Sequence, residues 1–351
     1  MNMTSLSQSL PAHRTRRPIG YVGRDIPVEL ILAAGATPLG IHGRAGQLTP
    51  QADRYLEATF TAASRSIAEQ WLNGEFDHLE AVIFSRSDDS AQRLYYYLCE
   101  LQRRGLCAGP RPLMYDIAAH ARESSLTHTI TSTRQLAREL GASDDALMPS
   151  VERVRDRSGL LMATANSTIA KPAARGSFTQ RMLRAADRDW SFDFDQTLST
   201  ARDATAAGAD ATPLMMIGST PADEQLHESA ERAGGNIIVT LNAATPYRID
   251  RTVQQGDAFE QIARRCRAHP WRQMLQSPQD FCARARELRV AGVILWVVAE
   301  DTGLAWVYPR LERALREHAI PVLPLTMQKW NVPAETLDAV AGFASTLRTR
   351  A

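Results

Sequence analysis

Nothing constrains this chain more than the run GVILWVVAE (292–300), which stays apolar as far as Ala299 with no polar alternation. A short run of this kind reads as a strand buried on both faces, and such strands belong inside parallel sheets covered by helices. Other runs have the same character. AVIFS (81–85), PLMYD (112–116) and Thr37–Ile41 read as strands in the first half; PLMMIGS (213–219), NIIVTLNA (236–243) and IPVLPLTM (320–327) do so in the second. Helical patterns fall between them: Pro27–Ala34, Tyr55–Leu72 and Asp88–Arg104, then Asp223–Ala233, Asp257–Arg267, Pro278–Val290, Pro309–His318 and Ala334–Leu347. Pro27 suits a first helical turn, Gly35 a helix end, and Gly234-Gly235 is a strong stop.

Strands alternating with helices imply parallel pairing through βαβ units. Between the two series, 132–205 carries helical pattern without a convincing strand. The expected fold is therefore α/β, with two lobes built on short, mainly parallel sheets in αβα layers of Rossmann or flavodoxin-like style, joined by a helical connector. The expected organisation is an arm over 1–19, flexible or wrapped on a partner, a first lobe over 20–131, the connector over 132–205 and a second lobe over 206–351.

A chain of 351 residues, 44% of them hydrophobic, suits two cores and is too apolar for disorder. The formal net charge of +1, with no basic stripe, points away from nucleic acid. No apolar run approaches a membrane span, and the start MNMTSLSQSLPAHRTRRP has no apolar h-region. Cys99, Cys107, Cys266 and Cys282 are scattered, with no Cys-x-x-Cys pair, as expected of a reduced cytoplasmic protein.

In open parallel sheets, ligands bind beyond the carboxyl ends of the strands. That rule selects His42, Ser85-Arg86-Ser87-Asp88 and Asp116 in the first lobe. In the second it selects Gly218-Ser219, Asn242-Ala243, Glu300-Asp301 and Gln328. Each also has a plainer reading: Asp88 is an apt N-cap, Glu300 and Asp301 suit a solvated loop, Ser219 a turn, His42 a loop, and Arg86 a surface ion pair. No Walker loop, H-E-x-x-H or G-x-S-x-G occurs, and the eight histidines lack metal-ligand spacing.

The order of segments resembles one family. PVELILAAGATPLGIHG (27–43) is similar to the P-x-E-L-I-x-A-A-G-A-x-P opening of the 2-hydroxyacyl-CoA dehydratase and benzoyl-CoA reductase family. SRSIAEQWLNGEFDHLEAVIFSRSDDSAQRLY (64–95), PLMMIGS with Gly234-Gly235, and GVILWVVAEDTGLAWVYPRLERALREHAIPVLPL (292–325) resemble its later blocks. The resemblance implies a cleft between two lobes in which three cysteines hold a [4Fe–4S] cluster. Those positions fall here on Thr61, on Asp88 or Ser87, and on Asp301, and none is cysteine. No cluster is therefore expected. A chain of this kind would bind an acyl-CoA or similar acyl thioester and use polar acid–base chemistry. Asp88 and Asp301, with Ser87 and Thr61, would be the catalytic groups. Arg86, His42, Ser219, Asn242, Glu300 and Arg248, which matches the family's G-x-R segment, would contact substrate. Asp88 and Asp301 are expected to meet across the cleft, sharing a proton or holding a divalent cation. The expected assembly is a homodimer or a heterodimer with a related subunit, without nucleic acid or membrane. The alternative is a non-catalytic subunit beside a cluster-bearing homologue.

Overall fold

The computed structural model describes residues 16–23, 25–118, 120, 122–170, 174–201, 211–245, 256–268 and 277–349. They fall into two compact units. The first takes the described residues up to Gly40, those of 74–156 and those of 249–267; the second takes Ile41–Asn73, those of 157–248 and those from 268 onward.

The first unit holds a four-stranded sheet, β1 (Ile19–Val22), β2 (Pro38–Gly40), β3 (Ala81–Ser85) and β4 (Arg111–Tyr115), in the order β2-β1-β3-β4 and parallel throughout. Between them run α1 (Val28–Ala33) and α3 (Asp89–Arg103). Helix α3 buries Leu94, Leu98 and Leu101, spaced four and three residues apart so that they share one face. Helix α4 (Glu123–Leu140) follows β4, and α9 (Ala258–Arg267) returns to this unit. A buried Arg265–Glu29 ion pair fastens α9 to α1, and Arg265 also donates to the Ile26 carbonyl at 2.8 Å.

The second unit repeats the plan. Its strands β5 (Thr212–Gly218), β6 (Gly235–Leu241), β7 (Gly292–Val298) and β8 (Val322–Gln328) lie in the order β6-β5-β7-β8, again parallel. Every residue of β7 is buried, as the run without polar residues requires. Each of its large apolar side chains contributes roughly 1.5–3 kcal/mol relative to exposure. Helices α8 (Gln225–Arg232), α10 (Pro278–Glu287), α11 (Thr302–Glu317) and α12 (Ala334–Arg348) belong to this unit, as does α2 (Ala62–Leu72). Helices α5 (Asp144–Ala170), α6 (Gly176–Ala185) and α7 (Phe192–Ala201) precede β5, and no strand occurs among the described residues from Ser132 to Ala201. None of the helices among the described residues is long and apolar enough to cross a membrane.

The two-sheet α/β fold is the expected one, but three elements differ in detail. Ile19–Val22 is an inner strand that the sequence pattern does not announce, because IGYV is short and interrupted by glycine. Helix α2 begins at Ala62 rather than Tyr55, capped by Thr61. Helix α11 begins at Thr302, with Pro309 inside it instead of in its first turn.

Candidate functional site

Each strand order reverses direction once, between β1 and β3 and between β5 and β7, and such switch points are where ligand crevices open in parallel sheets. In the second unit the switch is tightly built. Gly218 closes β5 with φ +142°, and a Cβ there would lie 1.8 Å from the Trp296 carbonyl oxygen of β7. Only glycine allows that backbone approach. The next residue, Ser219, donates its N–H to the same carbonyl at 2.7 Å. Its hydroxyl accepts the Val298 N–H at 3.1 Å and donates to Asp301 Oδ2 at 3.0 Å. Asp301 Oδ1 accepts the Leu304 N–H at 3.2 Å and so caps α11.

Around this pair the same unit adds a wall. Trp330 Nε1 donates to the Thr220 carbonyl at 3.3 Å. Gly43 lies against Trp330 and Ala63 so closely that a Cβ would come within 2.8 Å of the indole and 2.9 Å of the Ala63 backbone. Thr61 accepts the Ser64 N–H at 3.2 Å and caps α2. His42 is held through its carbonyl, which accepts from Gln70 Nε2 at 3.1 Å. Its Nε2 lies 3.2 Å from Oδ2 of Asp187, a side chain only 8% exposed.

Asp187 sits between α6 and α7, in a connection clamped by Arg157 of α5. The Arg157 guanidinium pairs with buried Asp195, donates to the carbonyls of Ala186 (2.6 Å) and Asp189, and lies 4.4 Å from the centre of the Trp190 ring. Arg184 ties the end of α6 to the chain after Thr220, through the Ala222 carbonyl at 2.8 Å and Glu224 at 2.9 Å.

In the first unit the corresponding switch carries a hydrogen-bonded string. Ser87 donates its hydroxyl to Asp25, a residue 8% exposed, and the Ser87 and Ser85 oxygens are 2.8 Å apart. Asp88 Oδ1 accepts the Ala91 N–H at 2.6 Å and caps α3. Arg86 pairs with Asp116 at 2.7 Å, and His128 Nε2 is 3.2 Å from the same carboxylate. These groups are solvent-accessible, so that the pairing adds little stability.

The residues selected from sequence thus separate into groups. Ser219, Asp301, Thr61 and His42 belong to the second unit; Ser87, Asp88 and Arg86 belong to the first. Asn242 is spent on its own turn, its Oδ1 accepting the Ala244 N–H at 2.8 Å. Glu300 is half-buried, and its Oε2 has no hydrogen-bond partner among the described residues. Arg248 lies outside the described residues. Two further residues, Asp25 and Asp187, had no sequence signal: Asp25 follows the unannounced strand, and Asp187 follows no strand at all.

Among the described residues, no three or more His, Cys, Asp or Glu side chains are grouped to hold a metal ion. Cys99 lies in α3, Cys107 beyond it and Cys282 in α10, while Cys266, in α9, interacts with Tyr115 at the carboxyl end of β4. Burial pushes all four thiols up, Cys266 to about 12, and so opposes the thiolate form that binds iron. The donor set present does not fit a thiolate-held cluster. No curated protein matches the chain. A family model described as 2-hydroxyglutaryl-CoA dehydratase, D-component, matches residues 25–345.

Proposed function

This chain belongs to the 2-hydroxyglutaryl-CoA dehydratase D-component family, and from that premise we propose that it binds an acyl-CoA or similar thioester and acts on it with polar acid–base groups, without a [4Fe–4S] cluster. One observation carries this reading. The family resemblance places cluster cysteines at Thr61, at Asp88 or the preceding Ser87, and at Asp301, and Thr61, Asp88 and Asp301 are each a helix N-cap whose oxygen accepts a backbone N–H. Hydroxyl and carboxylate oxygens there hold protons and hydrogen bonds, not iron–sulfide. In this reading Asp88 of the first unit and Asp301 of the second are each acid–base groups, with Ser87 and Thr61 as hydrogen-bonding residues. Ser219, Arg86, His42 and Glu300 contact the ligand. The four free cysteines suit a reduced, cytoplasmic setting. Members of this family act with partner components, and we place the chain in a homodimer or beside a related subunit.

The test is a thermal-shift titration of the purified protein with butyryl-CoA and with free CoA. Saturating butyryl-CoA is expected to raise the Tm by a few degrees, as ligand at ~100 times its Kd adds about 2.7 kcal/mol. Asp88→Asn and Asp301→Asn are expected to keep the ligand-free Tm within about a degree, because asparagine still caps a helix, and to lose most of the shift. No shift with butyryl-CoA, or an undiminished shift in both variants, contradicts the reading.

A further inference from the structure

We propose that His42, besides contacting the ligand, is a further proton-transfer group of the second unit's site and that Asp187 is its positioning residue. This deepens the thioester reading above and rests on it.

The geometry is specific about which nitrogen does what. Nε2 is the buried nitrogen; it lies within ion-pair distance of Asp187 Oδ2, at 3.2 Å, and has no hydrogen-bond partner among the described residues. A carboxylate accepts and cannot donate, so the neutral ring is expected to carry its proton on Nε2. That leaves the Nδ1 lone pair free on a side chain that is 34% exposed. Both partners are held. Arg157 grips the Ala186 and Asp189 carbonyls on either side of Asp187. Gln70 holds the His42 carbonyl, and Gly43 is wedged against Trp330, which in turn binds the Thr220 carbonyl beside Ser219. The segment that carries the ring is thus joined, through Gly43, Trp330 and Thr220, to the strand end that carries Ser219 and Asp301. A histidine on a lone surface loop is held by nothing of this kind.

The chemistry follows from the ligand class. The most acidic carbon-bound proton of an acyl thioester lies on the carbon next to its carbonyl. When Nδ1 takes that proton, the C–H bond breaks, an N–H bond forms, and the electron pair moves onto the carbonyl oxygen as an enolate. The ring becomes an imidazolium, and the Asp187 carboxylate lies against its charge. Return of a proton from Nδ1 restores the thioester. No oxidant or reductant is needed, and in heavy water the cycle exchanges hydrogen for deuterium at that carbon.

The experiment incubates the full chain with butyryl-CoA in heavy water, follows deuterium at the α-carbon by mass spectrometry, and measures butyryl-CoA affinity by calorimetry in parallel. Exchange is expected in the wild type. His42→Gln is expected to slow it at least ~100-fold, as loss of a general base does. Asp187→Asn should slow it ~10-fold or more while Kd changes less than about threefold, and Asp187→Glu should restore much of the rate. Nitrogen-15 spectra of the ring are expected to show the Nε2–H tautomer in the wild type and its loss in Asp187→Asn. Failure of the wild type to bind butyryl-CoA removes the thioester reading and this proposal together. Binding without exchange, exchange unchanged in His42→Gln, or an Nδ1–H tautomer in the wild type overturns the proposal and leaves the binding reading standing.

Discussion

Gly218→Ala is expected to destabilise the protein by at least ~3 kcal/mol, read as a lower urea midpoint or Tm with the second unit affected first. Two costs coincide at this residue. Its φ of +142° is one that residues with a side chain rarely adopt, and an added Cβ would meet the Trp296 carbonyl oxygen at 1.8 Å. The obstacle is backbone of an inner, fully buried strand, so it cannot swing aside as a flexible side chain would. Relief would require β5 and β7 to separate at their carboxyl ends. That would also strain the Ser219–Trp296 hydrogen bond and the Ser219–Asp301 contact. Gly46→Ala is the control. That glycine also has positive φ, but a Cβ there meets nothing within 4 Å, so only the backbone cost of about 1 kcal/mol remains. Equal losses in the two variants would contradict this account of the switch point.

The second large effect concerns acid. His227 of α8 is fully buried, its Nε2 is 2.8 Å from Thr240 Oγ1, and desolvation, helped by the charge of Arg184, lowers its pKa to about 3. Once unfolded, the ring titrates near its ordinary value of 6.5. The folded state therefore refuses a proton that the unfolded state accepts. Stability from this group is complete above about pH 6.5 and is lost as the pH falls towards 3. Across that window the loss approaches roughly 3–5 kcal/mol, near 1.4 kcal/mol per pH unit. His227→Gln keeps a polar group beside Thr240 and does not titrate. Urea unfolding at pH 7, 5 and 4 should show the wild type losing stability faster than the variant, by about 1.4 kcal/mol for each unit below 6.5. Parallel pH profiles would show that His227 is not kept neutral by burial.

Much of this architecture was legible in the sequence, for a physical reason. Strands such as Ala81–Ser85 and Gly292–Val298 are buried on both faces, so their apolar runs are unbroken and stand out against amphipathic helices such as Asp89–Arg103. Ile19–Val22 is not legible because four residues with an internal glycine carry neither a run nor an alternation, although the strand lies inside its sheet. Asp25, which follows that strand, carries no signal for the same reason. The helical pattern that opens at Pro309 marks only the later part of α11, whose cap is Asp301, with the proline tolerated seven residues past the first. Strand-end logic found Ser219 and Asp301 and so half of their hydrogen-bonded pair each, but their contact depends on β5 and β7 being neighbours, which no local pattern states. Asp187 lies beyond local inference altogether. Its meeting with His42 needs α2, α5, α6 and Trp330 all in place, and what the sequence shows around it is only a polar break between helices.

The central claim is that oxygen caps have replaced thiolate ligands in this family member, and it can be tested on the protein alone. The measurement is iron and acid-labile sulfide per chain, with the visible spectrum, on protein purified without oxygen and offered iron and sulfide under reducing conditions. The account predicts colourless protein, iron and sulfide far below one per chain, and no thiolate-to-iron absorption. Iron and sulfide at the stoichiometry of a [4Fe–4S] cluster, with those bands, would contradict it and would mean that Cys99, Cys107, Cys266 or Cys282, or a partner's thiols, supply ligands that Thr61, Asp88 and Asp301 do not.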